Sequence, residues 1–110
     1  MALETLDRIQ ARVDAAPAIS DEAREELTAL VQQLRGEIEC LPDAQSEDAR
    51  SLAGFAELSA FEATRVSTSP DLLETGLDGV RHVVETLQER HPRLAEVANN
   101  FAMAIGRMGF

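Results

Sequence analysis

Four prolines divide the chain into five segments, and within each segment the large apolar residues recur at spacings of three and four. This spacing places apolar side chains on one face of an α-helix. Proline interrupts a helix and disfavours helical geometry in the residue before it, so each proline marks the end or the beginning of a helix. The prolines are Pro17, Pro42, Pro70 and Pro92. The alternation typical of a strand does not persist anywhere, so we predict an all-α bundle of about five helices in a single domain over residues 1–110.

Residues 1–41 are predicted to form an antiparallel helical hairpin. Ser20 is a suitable N-cap for the second helix, with Asp21 and Glu22 adding negative charge to the first turn. The connection around residues 16–19 is so short that the two helices must fold back on each other. The apolar stripes are Leu3, Leu6, Ile9 and Val13 in the first helix and Leu27, Leu30, Val31, Leu34, Ile38 and Leu41 in the second.

The middle helix, residues 44–66, has a weaker pattern. Asp43 or Ser46 could cap it, and the stretch that follows is dense in alanine. Phe55 and Phe61 fall on faces that do not coincide. We therefore expect this helix to contact two different neighbours.

Residues 69–109 are predicted to form a pair of helices. Ser69 caps the first of them with Pro70 at the first helical position, where the missing N–H of proline costs nothing. Gly76 and Gly79 are expected to weaken the first half of this helix. The two helices should pack against each other through Leu87, Leu94, Phe101 and Ile105, with Gly109 as the C-terminal stop.

Charge and hydropathy exclude two kinds of partner. The formal net charge is −10, and the ten basic residues, all arginine, form no cluster, so we expect no nucleic-acid partner. The N-terminal hairpin is the most acidic part of the chain. About 18 consecutive apolar residues occur nowhere, so we expect no membrane span.

The N-terminus lacks an apolar run of signal length and Cys40 is the single cysteine, which together favour a cytoplasmic protein. We expect Cys40 to be a small buried hydrophobe at a helix end.

The sequence contains no recognisable catalytic or metal-binding pattern. His82 and His91, the two histidines, are nine residues apart and would lie on roughly opposite faces of one helix, so they cannot share a metal within one chain. Acidic neighbours such as Glu22, Glu25 and Glu26 are expected to be solvated on exposed faces. We therefore predict neither an enzyme nor a protein with a metal or cofactor.

The chain has more large apolar residues than a single helical hairpin can bury. The chain has thirty-one Leu, Ile, Val, Met and Phe residues, which must be covered either by the C-terminal helices or by a second copy. The last ten residues are apolar on more than one side of the helix, because Met103 lies off the stripe formed by Phe101 and Ile105. This run is predicted to form either part of the core or an intermolecular seam. The candidate interaction residues are Phe101, Met103, Ile105, Met108 and Phe110.

The C-terminal stretch also carries a family resemblance. His91, Pro92 and Leu94 form a His-Pro-x-Leu step, and Met108-Gly109-Phe110 forms a closing Met-Gly tail in which Phe110 replaces an aliphatic residue. In these features the chain resembles a bacterial family called domain of unknown function 4404. The similarity covers about the last 27 residues, and the middle helix looks like an extension beyond the short members. The resemblance implies a small, acidic, helical bacterial protein and carries no catalytic residue.

These observations favour a self-associating protein–protein interaction module that forms a homo-oligomer. An alternative is an acidic adaptor or antitoxin-like binder of a basic protein partner. A ligand- or metal-binding bundle is a third possibility, with the least support from the residues.

Overall fold

The computed structural model describes residues 2–17, 19–42 and 46–109, and within them it contains five α-helices and no strand. The predicted all-α fold is therefore confirmed. The helices are α1 (Ala2–Ala15), α2 (Asp21–Glu39), α3 (Ser46–Ala63), α4 (Pro70–Leu87) and α5 (Pro92–Gly109). In the described part of the chain, no helix combines the length and the apolar character needed to cross a lipid bilayer.

Two helices, α2 and α4, begin as local capping chemistry predicts. The Ser20 hydroxyl accepts a hydrogen bond from the Ala23 N–H (3.1 Å), and the Ser69 hydroxyl accepts one from the Leu72 N–H (3.4 Å). The His91 carbonyl accepts the first hydrogen bond of α5, from the Ala95 N–H (3.0 Å). Of the two caps considered for α3, Ser46 is already its first helical residue, while Asp43 lies outside the described residues.

Contacts between α1 and α2 are consistent with the predicted antiparallel hairpin. Gln10 donates to the hydroxyl of Thr28 (2.9 Å), while Arg24, near the start of α2, donates to carbonyls at the end of α1. The paired residue numbers rise in one helix as they fall in the other. The Arg24 guanidinium also satisfies carbonyls that a helix C-terminus leaves without intrahelical partners, and its positive charge suits the helix dipole there. Its acceptors are the carbonyl oxygens of Val13, Asp14 and Ala16.

The five helices are arranged in a ring. The order of contacts around the ring is α2, α1, α3, α4, α5 and back to α2, and α3 also touches α5 across the middle. Ion pairs of Arg107 with Glu26 and of Arg93 with Glu37 show that α2 and α5 are antiparallel. By contrast, α1 and α3 run in the same direction, since Arg8 bonds Glu57 and Arg12 bonds Thr64.

All five helices contribute to one hydrophobic core. The side chains predicted to join the last two helices, namely Leu87, Leu94, Phe101 and Ile105, are all buried in it. The middle helix also belongs to the core, through Leu52 and a stripe of alanines that includes Ala56 and Ala60. A single chain thus buries the apolar stripes of its N-terminal hairpin without a second copy. The buried apolar side chains outside the alanines are Leu6, Ile9, Val13, Leu27, Leu30, Val31, Leu34, Ile38, Leu52, Leu73, Leu77, Val80, Val83, Val84, Leu87, Leu94, Phe101 and Ile105.

The glycines of α4 have a packing role that the sequence did not suggest. A Cβ atom on Gly76 would come within 2.9 Å of the backbone nitrogen of Ser59, so the two helix backbones meet there. One turn further on, the ring of Phe55 lies against Gly79. These glycines allow α3 and α4 to approach closely, and their loss of helix propensity is the cost of that contact.

Candidate interaction surface

The five residues that were predicted to form an interaction surface do not lie on one surface in the fold. Phe101 and Ile105 have no exposed surface and lie in the core, so they are not available to a partner. Met103 is 53% exposed because it follows Phe101 by two residues, which turns it about 200° round the helix. Met108 is half-buried against the core. Phe110 lies outside the described residues.

Met103 lies in a shallow groove between α2 and α5. The groove has a volume of about 320 Å³, and Leu30 is the other large apolar side chain that lines it. Its rim is polar: Arg107 Nη2 lies 2.6 Å from Glu26 Oε1, and Gln33 and Asn100 also line it. The groove therefore exposes one methionine side chain, which charged and polar residues surround. The lining residues are Glu26, Ala29, Leu30, Gln33, Asn100, Met103 and Arg107.

A second apolar surface lies on the side of α3 that points away from the core. Leu58 stands midway between the buried Ala56 and Ala60, about 200° from each, and so faces outward. Phe55 is 36% exposed, and Leu58 and Phe61 are partly exposed and outside the core cluster. We call this surface the outward face of α3. It consists of Ser51, Gly54, Phe55, Leu58 and Phe61.

The two phenylalanines of this face contact different helices, as predicted. The ring of Phe55 lies against Gly79 of α4. The Arg12 guanidinium of α1 lies over the ring of Phe61, 5.2 Å from its centre, in cation–π geometry. Each ring is thus held on one side by a neighbouring helix and exposed on the other.

Charged groups along the α1 edge of this face are paired within the chain. Arg8 Nε donates to Glu57 Oε2 at 2.7 Å. This hydrogen bond and the negative charge of Glu57 raise the pKa of Arg8 above its ordinary value. At the end of α3, Arg65 forms an ion pair of 3.0 Å with the largely buried Glu62. The outward face therefore has an apolar centre and a rim of satisfied charges, which is the usual anatomy of a protein interface.

Sequence reasoning missed the outward face of α3, although two signals for it were present. The weak amphipathic pattern of this helix arises because it carries apolar residues on its outer side as well as toward the core. Gly54 stands in the middle of the helix, and no atom lies within 4 Å of the position that its Cβ would occupy. Both signals indicate a helix whose exposed side is unlike ordinary solvated surface.

The two histidines lie far from the outward face of α3 in sequence, on and after α4. His82 is exposed, His91 is half-buried, and in the described part of the chain no three His, Cys, Asp or Glu side chains are grouped so that they could hold a metal ion. Glu22 and Glu25 of α2 are exposed, as expected of solvated carboxylates.

The predicted burial of Cys40 is wrong. The thiol is exposed, because Cys40 follows the core residue Ile38 by two positions and therefore lies on the opposite side of the helix end. Its backbone N–H donates to the Glu37 carbonyl (3.2 Å) and closes the last turn of α2.

Comparisons with known proteins add no relative. No protein-family model matches the chain, no curated protein matches it, and no solved structure matches it. The resemblance to domain of unknown function 4404 therefore stays a prediction.

Proposed function

We propose that this protein is a self-associating protein–protein interaction module without catalytic activity of its own. The observation that carries the proposal is the grouping of Phe55, Leu58 and Phe61 on one exposed face of a helix whose other sides are covered by neighbouring helices. Single exposed apolar residues are normal, but a grouped apolar surface with a polar rim is typical of a protein contact. The other exposed large apolar side chains of the described residues are separate from this group: Val66 follows α3, Leu72 lies at the start of α4 and Met103 lies on α5.

Self-association in this proposal joins complete bundles. The core is closed within one chain, so a second copy is not needed for folding. The exposed apolar surface is modest, and small interfaces form reversible complexes. We therefore expect monomers and oligomers to exchange as the concentration changes, and the fold to persist in the monomer.

Sedimentation velocity over a concentration series tests the proposal. We expect the average mass to rise from 12.0 kDa towards at least twice that value as the concentration increases through the micromolar range, with the helical dichroism unchanged. A mass of 12.0 kDa at all concentrations, up to the solubility limit, would refute it.

A second candidate function is the binding of a basic protein by the acidic surface of α2. The supporting observation is the exposure of Asp21, Glu22 and Glu25 on its first two turns, beside the Glu26 carboxylate at the rim of the Met103 groove. Such a surface attracts a cationic partner over several ångströms, and salt screens the attraction. A protein that co-purifies with the chain should bind less tightly as the salt concentration rises, and less tightly to Glu22→Gln/Glu25→Gln than to the wild type. An affinity that changes neither with the salt concentration nor with these substitutions would exclude this function.

A further inference from the structure

We propose that the outward face of α3 is the self-association surface and that it receives α3 of a second copy in antiparallel orientation. This inference rests on the proposed self-association and adds where and how the two copies meet.

Gly54 lies at the centre of the outward face of α3. A glycine inside a helix weakens it relative to alanine, so it needs a compensating reason. Gly76 of α4 has such a reason, since the absence of a side chain there lets the α3 backbone come close to α4. For Gly54 there is none within the chain: it has no positive φ, and a Cβ there would meet open space.

Gly36 of α2 is equally open, but the residues beside it on the helix surface, Gln32 and Gln33, are polar. Gly54 differs because the apolar side chains of Leu58 and Phe61 lie on the same side of the helix. A second helix that packs directly against α3 at Gly54 supplies the missing reason.

The side chains around Gly54 provide the matching shape. Ser51, with its small side chain, and Gly54, with none, leave a low place on the outward face, and the partly exposed apolar side chain of Leu58 lies one turn further along. In an antiparallel pair related by a two-fold axis, Leu58 of each copy can enter the low place at Gly54 of the other. The same register brings Phe61 of one copy over Ser51 of the other.

Charge complementarity determines the direction. Glu47 and Asp48 lie in the first turn of α3. Arg65 lies just beyond its last turn, where its Nη1 bonds Glu62 and 48% of its side chain stays exposed to a second partner. Antiparallel packing places Arg65 of each copy beside Glu47 of the other. Parallel packing would instead place Arg65 against Arg65 and the acidic first turns against each other.

The net charge restricts where two copies can meet. Each chain carries −10, so copies repel one another except through a face that is nearly free of unpaired charge. Between Ser51 and Phe61 the only charged residue is Glu57, which is already bonded to Arg8. The Met103 groove is less suitable, because contact there would bring the exposed carboxylates of two α2 helices together. The occupant that fits the outward face of α3 is therefore a second copy of this chain.

Two glycine variants test the inference, with one as the matched control for the other. Gly54→Gln fills the low place without adding charge or apolar surface, while Gly36→Gln makes the same change at an exposed glycine of α2 that also has open space around it. Because a Cβ atom at either position meets no other atom of the chain, both variants should keep the helical dichroism of the wild type. We expect sedimentation to give the wild-type dimerisation constant for Gly36→Gln and at least a tenfold weaker constant for Gly54→Gln.

The outcomes separate this inference from the proposed function. If the wild type dimerises and both variants dimerise equally well, the α3 surface is wrong while self-association stands. If the wild type stays monomeric at all concentrations, both fail.

Charge reversal tests the antiparallel direction. Glu47→Arg should weaken the dimer more than Glu47→Gln does, because it places a positive charge beside Arg65 of the other copy. Arg65 itself is left unchanged in this test, since it also holds the largely buried Glu62 within the chain. Equal dimerisation constants for the wild type, Glu47→Gln and Glu47→Arg would overturn this register.

Discussion

Gly76 and Gly36 are both helical glycines, but their surroundings are opposite. A Cβ on Gly76 would press on the backbone of Ser59, whereas a Cβ on Gly36 would meet nothing. Helix propensity treats the two positions alike and assigns each a penalty relative to alanine. Packing separates them, because only the first glycine lies where two helix backbones meet.

We expect Gly76→Ala to lower the free energy of unfolding by roughly 1–3 kcal/mol, since α3 and α4 must move apart to admit the methyl group. Gly36→Ala should raise the free energy of unfolding by up to about 1 kcal/mol, because it gains helix propensity without a clash. Urea denaturation of both variants beside the wild type measures the difference. Equal effects of the two substitutions would contradict the close approach at Gly76.

At single residues, features that depend only on neighbours in the sequence could be predicted, and features that depend on the fold could not. The caps Ser20 and Ser69 were predictable because a serine hydroxyl satisfies N–H groups two or three residues away, without any tertiary contact. The exposure of Cys40 was not, since its neighbours Ile38 and Leu41 made it look apolar, and the end of the core stripe could be located only in the folded chain.

At the scale of elements, α5 and α3 show how a helix divides its apolar residues between two sides. In α5 the division is clear: Phe101 and Ile105 face the core and Met103 faces solvent. In α3 the core side is made mostly of alanines with one leucine, Leu52, and the apolar side chains Phe55 and Leu58 face outward. The small core residues let α3 lie close to its neighbours.

The two sides of α5 should respond differently to truncation. We expect Phe101→Ala to lower the free energy of unfolding by about 3–5 kcal/mol, because it leaves a cavity in the centre of the bundle. Met103→Ala should change that free energy by no more than about 0.5 kcal/mol, since the side chain is more than half exposed. Chemical denaturation at low protein concentration, where monomers dominate, gives both values. A large loss for Met103→Ala would mean that α5 is turned differently.

The helix order could be predicted from the sequence, but the helix neighbours could not. Proline positions and apolar spacing are local, so Pro70 and Pro92 located two helix starts correctly. Which sides of α3 are covered depends on where α1 and α4 lie, and no spacing within α3 encodes that. The interaction surface was accordingly sought in the apolar C-terminal run, whose most apolar residues, Phe101 and Ile105, belong to the core.

The whole molecule is a closed ring of helices, 38 × 24 × 21 Å, with a net charge of −10. Closure removes the need for a second chain in folding, so any association must use a surface that is exposed in the monomer. The acidic charge acts against association of identical copies at long range. The apolar centre of the outward face of α3 acts in favour of it at contact.

Salt should therefore strengthen self-association. Raising the ionic strength from about 0.01 M to about 0.5 M shortens the screening length from roughly 30 Å to a few ångströms and suppresses repulsion between the two acidic copies. We expect the dimer to tighten across this range in sedimentation equilibrium. The binding of a basic partner would weaken under the same change. Dimers that dissociate as salt is added would show that ion pairs, and not apolar contact, hold the copies together.

The most direct test of the central claim is a dilution series followed by two-dimensional NMR of the backbone amides and methyl groups, at a chain mass of 12.0 kDa. As the concentration rises, we expect shifts concentrated at Ser51, Gly54, Phe55, Leu58 and Phe61, with the surroundings of Met103 and the exposed side of α2 unchanged. A spectrum that does not change with concentration, or shifts centred on Met103, would contradict self-association through the outward face of α3.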